Sequence, residues 1–223
     1  MLKPYEENLQ KIREEIYGIG EEIIYANKIS LSALKENDLS MLKDVTLSIK
    51  NLSIKTNEID NLIVKTLALY SPEAKDLREM VSYLKITNEM LRAGANSKIF
   101  VKTFRQSFTN DLDKHSILEY AIPLLKASNS AFEIAVSLLK ETDDKAIEAG
   151  FRKVSVEESK TDDLYAIIGK NTLKLISKNI ELSKDYFDVL SSLRRLEKTA
   201  DRAASIANLI LFARVGGEIE QAK

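Results

Sequence analysis

Two pairs of acidic residues in the second half of the chain have the spacing and chemistry of a cation site. Glu158 precedes Asp162 by four residues in VEESKTDDLY, and Glu197 precedes Asp201 by four in LRRLEKTADRAASIA. Residues four apart lie on one face of a helix, where like charges repel by about 0.2–0.5 kcal/mol. Two facing helices that each present such a pair would form a site with only oxygen ligands, which hard cations prefer.

The apolar pattern of the last helix places one of these acids inside the protein. On the preceding helix, Glu158 also lies in phase with apolar residues, between Val154 and Tyr165. In the last helix, the residues that recur at alternating steps of three and four include an acid: Leu190, Leu193, Glu197, Ala200, Ala204, Ala207 and Leu211. Asp201 lies beside this series. A buried carboxylate is costly unless it is paired or binds a metal, which favours a metal site.

A second interpretation of the same acids stays open. Arg194, Lys198 and Arg202 line the adjacent stripe of the helix and could neutralise Glu197 and Asp201 as surface ion pairs. Such pairs contribute little to stability. Acidic residues four apart are common in any charged helix, so spacing alone does not distinguish a metal site from a solvated face.

The composition predicts an all-α protein and excludes several classes of site. The chain has 223 residues, of which 44% are hydrophobic and 30% charged, with only seven Gly and three Pro. A net charge of −1 gives no reason to expect nucleic-acid binding, and the absence of Cys excludes disulfides and thiolate ligands. The charged N-terminus does not resemble a signal peptide. We also expect no membrane span, because no stretch approaches about 20 apolar residues.

Six long helices in two groups of three account for the hydrophobic pattern. The first group consists of residues 4–36, 39–70 and 71–104. The chain then crosses a polar connection at 105–115. Short turns force consecutive helices to be antiparallel, so each group should form a three-helix bundle.

The second group repeats the architecture of the first about a hundred residues later. Its first helix ends near residue 140, a turn follows at 141–144, and the last helix runs from about 182 to before Gly216. The predicted fold is therefore all-α, with two tandem antiparallel three-helix bundles. The predicted units are 1–106, 112–216 and a C-terminal tail, 217–223.

Each helix carries an apolar seam, meaning apolar residues at alternating steps of three and four. Asp38 is expected to cap the second helix and Ser71, before Pro72, the third. Pro123 should either kink the fourth helix or mark its start. Asn88, on the third seam, could set register. The three seams of the first group are Tyr5, Leu9, Ile12, Ile16, Ile19, Ile23, Ala26; Leu42, Val45, Ile49, Leu52, Thr56, Ile59, Ile63; and Leu77, Val81, Leu84, Asn88, Leu91, Ala95.

Two segments resemble the PhoU family of phosphate-uptake regulators. SPEAKDLREMVSYLKI, at residues 71–86, is similar to that family's Pro-x-Ala-x-Asp-Leu-Arg segment. LEKTADRAASIA, at 196–207, is similar to its Leu-Glu-Arg-Ile-Gly-Asp-x-Ala-x-Asn-Ile-Ala. The arrangement of two three-helix repeats over nearly the whole chain also resembles the family.

This resemblance implies one metal centre in each repeat, built from acidic residues four apart on two facing helices. The second repeat keeps the ligands Glu158, Asp162, Glu197 and Asp201, which would bind Fe, Mn, Mg or Zn. Where the family has Asn, eight residues after the motif Glu, this chain has Ser205.

The first repeat departs from the family's pattern at its metal ligands. The matching positions are Thr56, Asp60, Leu91 and Ala95, so three of the four ligands are missing. Leu91 and Ala95 instead complete an apolar seam. We therefore expect the first repeat to bind no metal.

The resemblance implies a regulatory adaptor and not an enzyme. It would negatively regulate phosphate uptake and phosphate-starvation signalling through the ATPase of a phosphate ABC transporter and a sensor histidine kinase. It would be cytoplasmic, would reach the membrane through these partners, and could form a homodimer. The chain contains neither G-x-x-x-x-G-K-[ST] nor G-x-G-x-x-G, the glycine-rich loops that bind phosphate groups.

Two alternatives belong to other classes of protein. A di-iron carboxylate bundle oxidase needs Glu-x-x-His on two helices. The sole histidine, His115, lies in the predicted connection with no Glu three residues before it, and we expect it to be a solvated turn residue. The other alternative is a helical scaffold protein without metal.

Overall fold

The computed structural model describes residues 3–217, among which there is no strand. The protein is 91% helical, which confirms the all-α prediction. Within these residues, seven α-helices follow one another: α1 Lys3–Glu36, α2 Leu42–Ser48, α3 Leu52–Tyr70, α4 Ala74–Ser107, α5 Lys114–Ser137, α6 Asp144–Lys178 and α7 Ser183–Val215. Short 3₁₀ turns at Leu39–Met41, Leu138–Lys140 and Ile180–Leu182 adjoin α2, α5 and α7.

The helices form two tandem bundles, as predicted. α1, α3 and α4, with the short α2, make the first bundle, and α5, α6 and α7 make the second. The most extensive helix–helix contact joins α4 to α7, and α1 also packs against α5. The last helices of the two bundles therefore form the main interface between them. The division of the chain at residues 106 and 112 stays a prediction, and 218–223 of the predicted tail lie outside the described residues.

The apolar seams of the first two predicted helices are buried. In α1, only Leu9 of the seam is partly exposed, and the second seam is buried from Leu42 to Ile63. The prediction of one helix over residues 39–70 is wrong, however, because residues 49–51 separate α2 from α3. Asn51 in this break is a poor helix former. Packing of the apolar residues continues through the break although the helix does not.

Three aspartates in the polar breaks cap the element that follows them, although the cap of Asp38 serves the 3₁₀ turn Leu39–Met41 and not α2 itself. Asp38 accepts a hydrogen bond from the backbone N–H of Ser40 at 2.9 Å. Asp113 caps α5 through Ser116 at 3.0 Å, and Asp143 caps α6 at 3.1 Å.

The predicted cap at Ser71 is wrong, and of the two alternatives for Pro123 the structure excludes a helix start. Ser71 has a left-handed backbone (φ 43°) and donates its N–H to Leu67 O, so it ends α3. α4 begins after it, at Ala74. α5 already begins at Lys114, and Pro123 lies inside this continuous helix.

The register predicted for α4 is wrong. Leu77, Val81, Asn88 and Ala95 are exposed, and Leu84 and Leu91 are only partly buried. The buried face of α4 instead mixes apolar residues with small and polar ones, including Ser82, Thr87, Gly94 and Ser97. A Cβ on Gly94 would lie 2.1 Å from Leu52 Cδ1, so glycine allows a close helix contact there. The same face also carries Met80, Tyr83, Ile86 and Met90, so the predicted seam followed the wrong set of apolar residues.

The connection between the bundles is shorter than predicted. α4 extends to Ser107 and α5 begins at Lys114, so His115 lies in the first turn of α5, where it is exposed.

One stretch, Lys114–Lys140, is long and apolar enough to cross a membrane, which the sequence prediction did not anticipate. In the structure, 61% of its most apolar window is buried inside the protein, as in the core helix of a bundle.

Candidate metal centre

Helices α6 and α7 bring three of the four predicted acids together. Glu158 and Asp162 lie one turn apart on α6, and Glu197 and Asp201 one turn apart on its neighbour α7. Glu158, Asp162 and Asp201 each offer a carboxylate oxygen, and these oxygens lie within 4.8 Å of one another. Glu197 does not belong to this group of three but lies beside it, because Lys198 Nζ contacts both Glu197 and Asp201. We refer to these four residues as the acidic cluster.

The acidic cluster runs from the protein interior to the surface. Glu197 is 4% exposed and Asp201 8%, whereas Glu158 is half-buried and Asp162 is exposed. The α7 side therefore holds the acids in a fixed, partly dehydrated position, and the α6 side leaves them accessible to an ion from solution.

Burial and mutual repulsion disfavour the charged forms of two of these acids. Burial first, and then the charge of Asp201, raise the pKa of Glu197 to about 7, against the opposing charges of Arg194 and Lys198. Burial, followed by the charges of Asp162 and Asp201, also raises the pKa of Glu158. A bound cation would reverse this effect by stabilising the carboxylates.

Basic residues of α7 partly neutralise the cluster. Lys198 Nζ lies 2.7 Å from Asp201 Oδ2 and 3.5 Å from Glu197 Oε1. Arg194 Nε lies 3.3 Å from Glu197 Oε2, and its guanidinium stacks over the Tyr165 ring of α6 at 4.9 Å. The expected ion pairs are therefore present, but they lie within the cluster and not on a separate solvated face.

The donor set fits a hard cation. All four side chains supply carboxylate oxygens, the ligand type preferred by Mg²⁺, Mn²⁺ and ferric iron. Glu197 Oε2 is buried and has no hydrogen-bond partner despite its proximity to Arg194. A buried acceptor without such a partner is unfavourable, and a metal ion bound between α6 and α7 would satisfy it.

The matching positions of the first repeat do not form an acidic cluster. Asp60 accepts a hydrogen bond from the Thr87 hydroxyl at 2.5 Å, and the Thr56 hydroxyl donates to Ser53 O. Leu91 is partly buried, whereas Ala95 is exposed and does not belong to a buried seam. Among residues 3–217, the only group of three or more candidate ligands is the one in the second repeat.

Two polar links between α4 and α7 were not predicted. Arg202 Nη1 lies 2.9 Å from Glu89 Oε2, and Arg78 Nε donates to Ala213 O at 3.4 Å. Arg78, from the Asp-Leu-Arg segment, therefore binds a carbonyl in the last turns of the facing helix. Ser205, at the family's Asn position, donates to the backbone carbonyl of Asp201 and not to the cluster.

The fold and the acidic cluster together define a class: an all-helical protein of two tandem bundles with a carboxylate site between the last two helices. Comparison with known proteins identifies the family, because the PhoU domain matches residues 18–103 and 123–210. The chain belongs to the PhoU family.

Relatives and solved structures match along most of their length. A protein of Borreliella burgdorferi, named "Phosphate-specific transport system accessory protein PhoU homolog", is 24% identical over 95% of each chain. The Escherichia coli protein of the same type, PhoU, is 22% identical over 94% of this chain and 88% of its own.

Among solved structures, the phosphate transport system regulatory protein PhoU from Streptococcus pneumoniae superposes with a TM-score of 0.79 at 19% identity. It covers 97% of this chain and 99% of its own. PhoU from Pseudomonas aeruginosa gives a TM-score of 0.76 at 18% identity, over 96% of this chain and all of its own. This likeness establishes a common fold.

Proposed function

We propose that this protein is a regulatory adaptor that negatively regulates phosphate uptake and phosphate-starvation signalling. It would act on the ATPase of a phosphate ABC transporter and on a sensor histidine kinase. The observation that carries the proposal is the match of two PhoU domains across the chain, with relatives that are named accessory proteins of phosphate-specific transport systems.

The architecture suits an adaptor better than an enzyme. Long antiparallel helices offer extended faces for partner proteins, and the sequence contains no glycine-rich phosphate loop. We propose that the protein is cytoplasmic and reaches the membrane by binding these partners. We also propose that it can form a homodimer. We do not propose that the protein binds nucleic acid.

We further propose that Glu158, Asp162, Glu197 and Asp201 bind one metal cation, of Fe, Mn, Mg or Zn. The support is the convergence of three carboxylates within 4.8 Å and the buried Oε2 of Glu197 beside them, which has no hydrogen-bond partner. The cation would cross-link α6 and α7. The four acidic side chains would hold and orient the ion. We propose that the ion has a structural and regulatory role.

Deletion of the gene tests the regulatory proposal. At high external phosphate, the deletion strain should take up phosphate faster than wild type and should keep phosphate-starvation genes expressed. The wild-type gene should restore both phenotypes, and co-purification with the transporter ATPase and the kinase should be observed. Unchanged uptake and expression in the deletion strain would contradict the proposal.

A metal-free helical scaffold is the second candidate, and the ion pairs of Lys198 and Arg194 with the acids favour it. Metal content separates the two candidates. Protein purified without chelator should contain about one equivalent of metal per chain, whereas a scaffold held by ion pairs would contain none.

A further inference from the structure

One lysine lies inside the acidic cluster, where an incoming cation would bind. Lys198 Nζ lies 2.7 Å from Asp201 Oδ2 and 3.5 Å from Glu197 Oε1. Its ammonium thus contacts two of the four proposed ligands at once. A metal bound at about 2.0–2.6 Å from the same oxygens would stand within a few ångströms of this ammonium. Two positive charges cannot share these oxygens without strong repulsion.

We propose that Lys198 is a tethered competitor of the metal. In the metal-free protein its ammonium neutralises Asp201 and Glu197, and it moves into solvent when a cation binds. This inference rests on the proposed metal site and adds the residue that sets its affinity. Metal binding would then also release a positive charge onto the surface of α7.

The neighbouring arginines are less suited to this role. Arg194 is held over the Tyr165 ring at 4.9 Å, and Arg202 pairs with Glu89 of α4 at 2.9 Å while lying 3.9 Å from Asp201. Each of them therefore has a second partner that fixes it. The ion pairs of Lys198 in the described part of the chain are both with acids of the cluster. Its side chain is 34% exposed, and its flexible stem can carry the ammonium into water.

Metal titration of a lysine variant tests the proposal. The chelator-treated protein is titrated with Mn²⁺ in a calorimeter, and Lys198→Gln is compared with wild type. Removal of the competitor should lower the Kd for Mn²⁺ about tenfold. In melting experiments, the variant should also have a lower Tm without metal and a larger rise in Tm when Mn²⁺ is added.

Two matched variants separate competition from a general change of charge. Lys198→Arg keeps a tethered cation and should bind Mn²⁺ about as weakly as wild type. Lys160→Gln removes a lysine of α6 that pairs with Glu157 at 3.6 Å, outside the cluster, and should leave the Kd close to that of wild type.

The outcomes distinguish this inference from the metal site on which it rests. Tighter binding in Lys198→Gln alone supports it. Equal or weaker binding in Lys198→Gln, with a measurable Kd in wild type, overturns the role of Lys198 and leaves the metal site in place. A wild type and a Lys198→Gln variant that both fail to bind Mn²⁺, Mg²⁺, Zn²⁺ or iron would overturn both.

Discussion

At the scale of single residues, the acidic cluster combines a part that sequence patterns can predict with a part that they cannot. The position of Glu197 in an apolar seam and the spacing of the four acids predicted that the acids would lie on one helix pair, where three of their carboxylates have oxygens within 4.8 Å of one another. The insertion of Lys198 between Asp201 and Glu197 could not be predicted, because it depends on the rotamer of one flexible side chain. The spacing of three residues between Lys198 and Asp201 would equally fit an ion pair on the protein surface.

Replacing the most buried acid should remove the response to metal. Wild type should show a rise in Tm when metal is added after a chelator, because the metal binds the folded state. Glu197→Ala should lack this rise in differential scanning fluorimetry with Mn²⁺, Mg²⁺, Zn²⁺ or iron. Glu148→Ala, which removes a partly exposed acid of α6 that pairs with Arg152 outside the acidic cluster, is the control and should keep the rise. A Tm rise in Glu197→Ala as large as in wild type would show that Glu197 is not a ligand.

Without metal, the stability should depend on pH through Glu197. Burial and then Asp201 raise its pKa in the folded protein to about 7, above the ordinary value of 4.5. The stabilisation that comes from the proton is complete below pH 4.5 and is lost as the pH rises through 7. Urea unfolding in EDTA should therefore show a loss on the order of 2 kcal/mol between pH 5 and 8 that Glu197→Gln removes. The same pH dependence in both proteins would argue against a raised pKa.

The remaining acid of the first repeat should not bind metal. Asp60 accepts a hydrogen bond from the neutral Thr87 hydroxyl. The other three positions that match the metal ligands carry no carboxylate, because they are Thr56, Leu91 and Ala95. Asp60→Ala should leave the metal content of the purified protein unchanged, measured by inductively coupled plasma mass spectrometry. Asp201→Ala, measured in parallel, should lose the metal. Loss of metal in the Asp60 variant would place a ligand in the first repeat.

At the scale of helices, the sequence predicted packing where one face is apolar and failed where a helix packs on two sides. The α1 seam is buried as predicted, because strongly apolar residues at heptad spacing define a single face. α4 packs against both α1 and α7, and its buried face includes Gly94, Ser97 and Thr87. These small residues allow the helices to approach closely, and large apolar residues of the same face, such as Met80, Ile86 and Phe100, are buried with them.

Adding one methyl group at the close contact of α4 should destabilise the protein. The Cβ of Gly94→Ala would lie 2.1 Å from Leu52 Cδ1, and Leu52 is 1% exposed with little room to move. We expect a loss of about 1–3 kcal/mol in urea unfolding. Gly18→Ala in α1 is the control, since no atom lies within 4 Å of its added Cβ. It should gain up to about 1 kcal/mol from helix propensity. Equal gains in both variants would contradict the close contact.

At the scale of the whole molecule, the two bundles are coupled through α4 and α7. Their interface is the most extensive in the protein, and Glu89–Arg202 and Arg78–Ala213 add polar links across it. α7 also carries two of the four acids. A cation at the proposed site would therefore bind a helix that belongs to both the acidic cluster and the interface.

This coupling predicts that metal protects both bundles equally. If the bundles unfold as one unit, Mn²⁺ should slow hydrogen exchange of the slowest amides in α1 by the same factor as in α7. Hydrogen exchange with mass spectrometry, with and without Mn²⁺, measures this. Protection limited to α5, α6 and α7 would instead show that the second bundle unfolds independently of the first.

If the proposed metal site is correct, the single acidic cluster among residues 3–217 also determines the shape of the response to metal. A chain with two coupled sites could respond steeply, as a switch does. With one site per chain, occupancy should follow a simple hyperbola with a Hill coefficient of one. Going from one-tenth to nine-tenths occupancy then needs roughly a hundredfold change in free cation. Such a protein would respond to the cation concentration in a graded way, and Lys198 would set the concentration at which half of the sites are occupied.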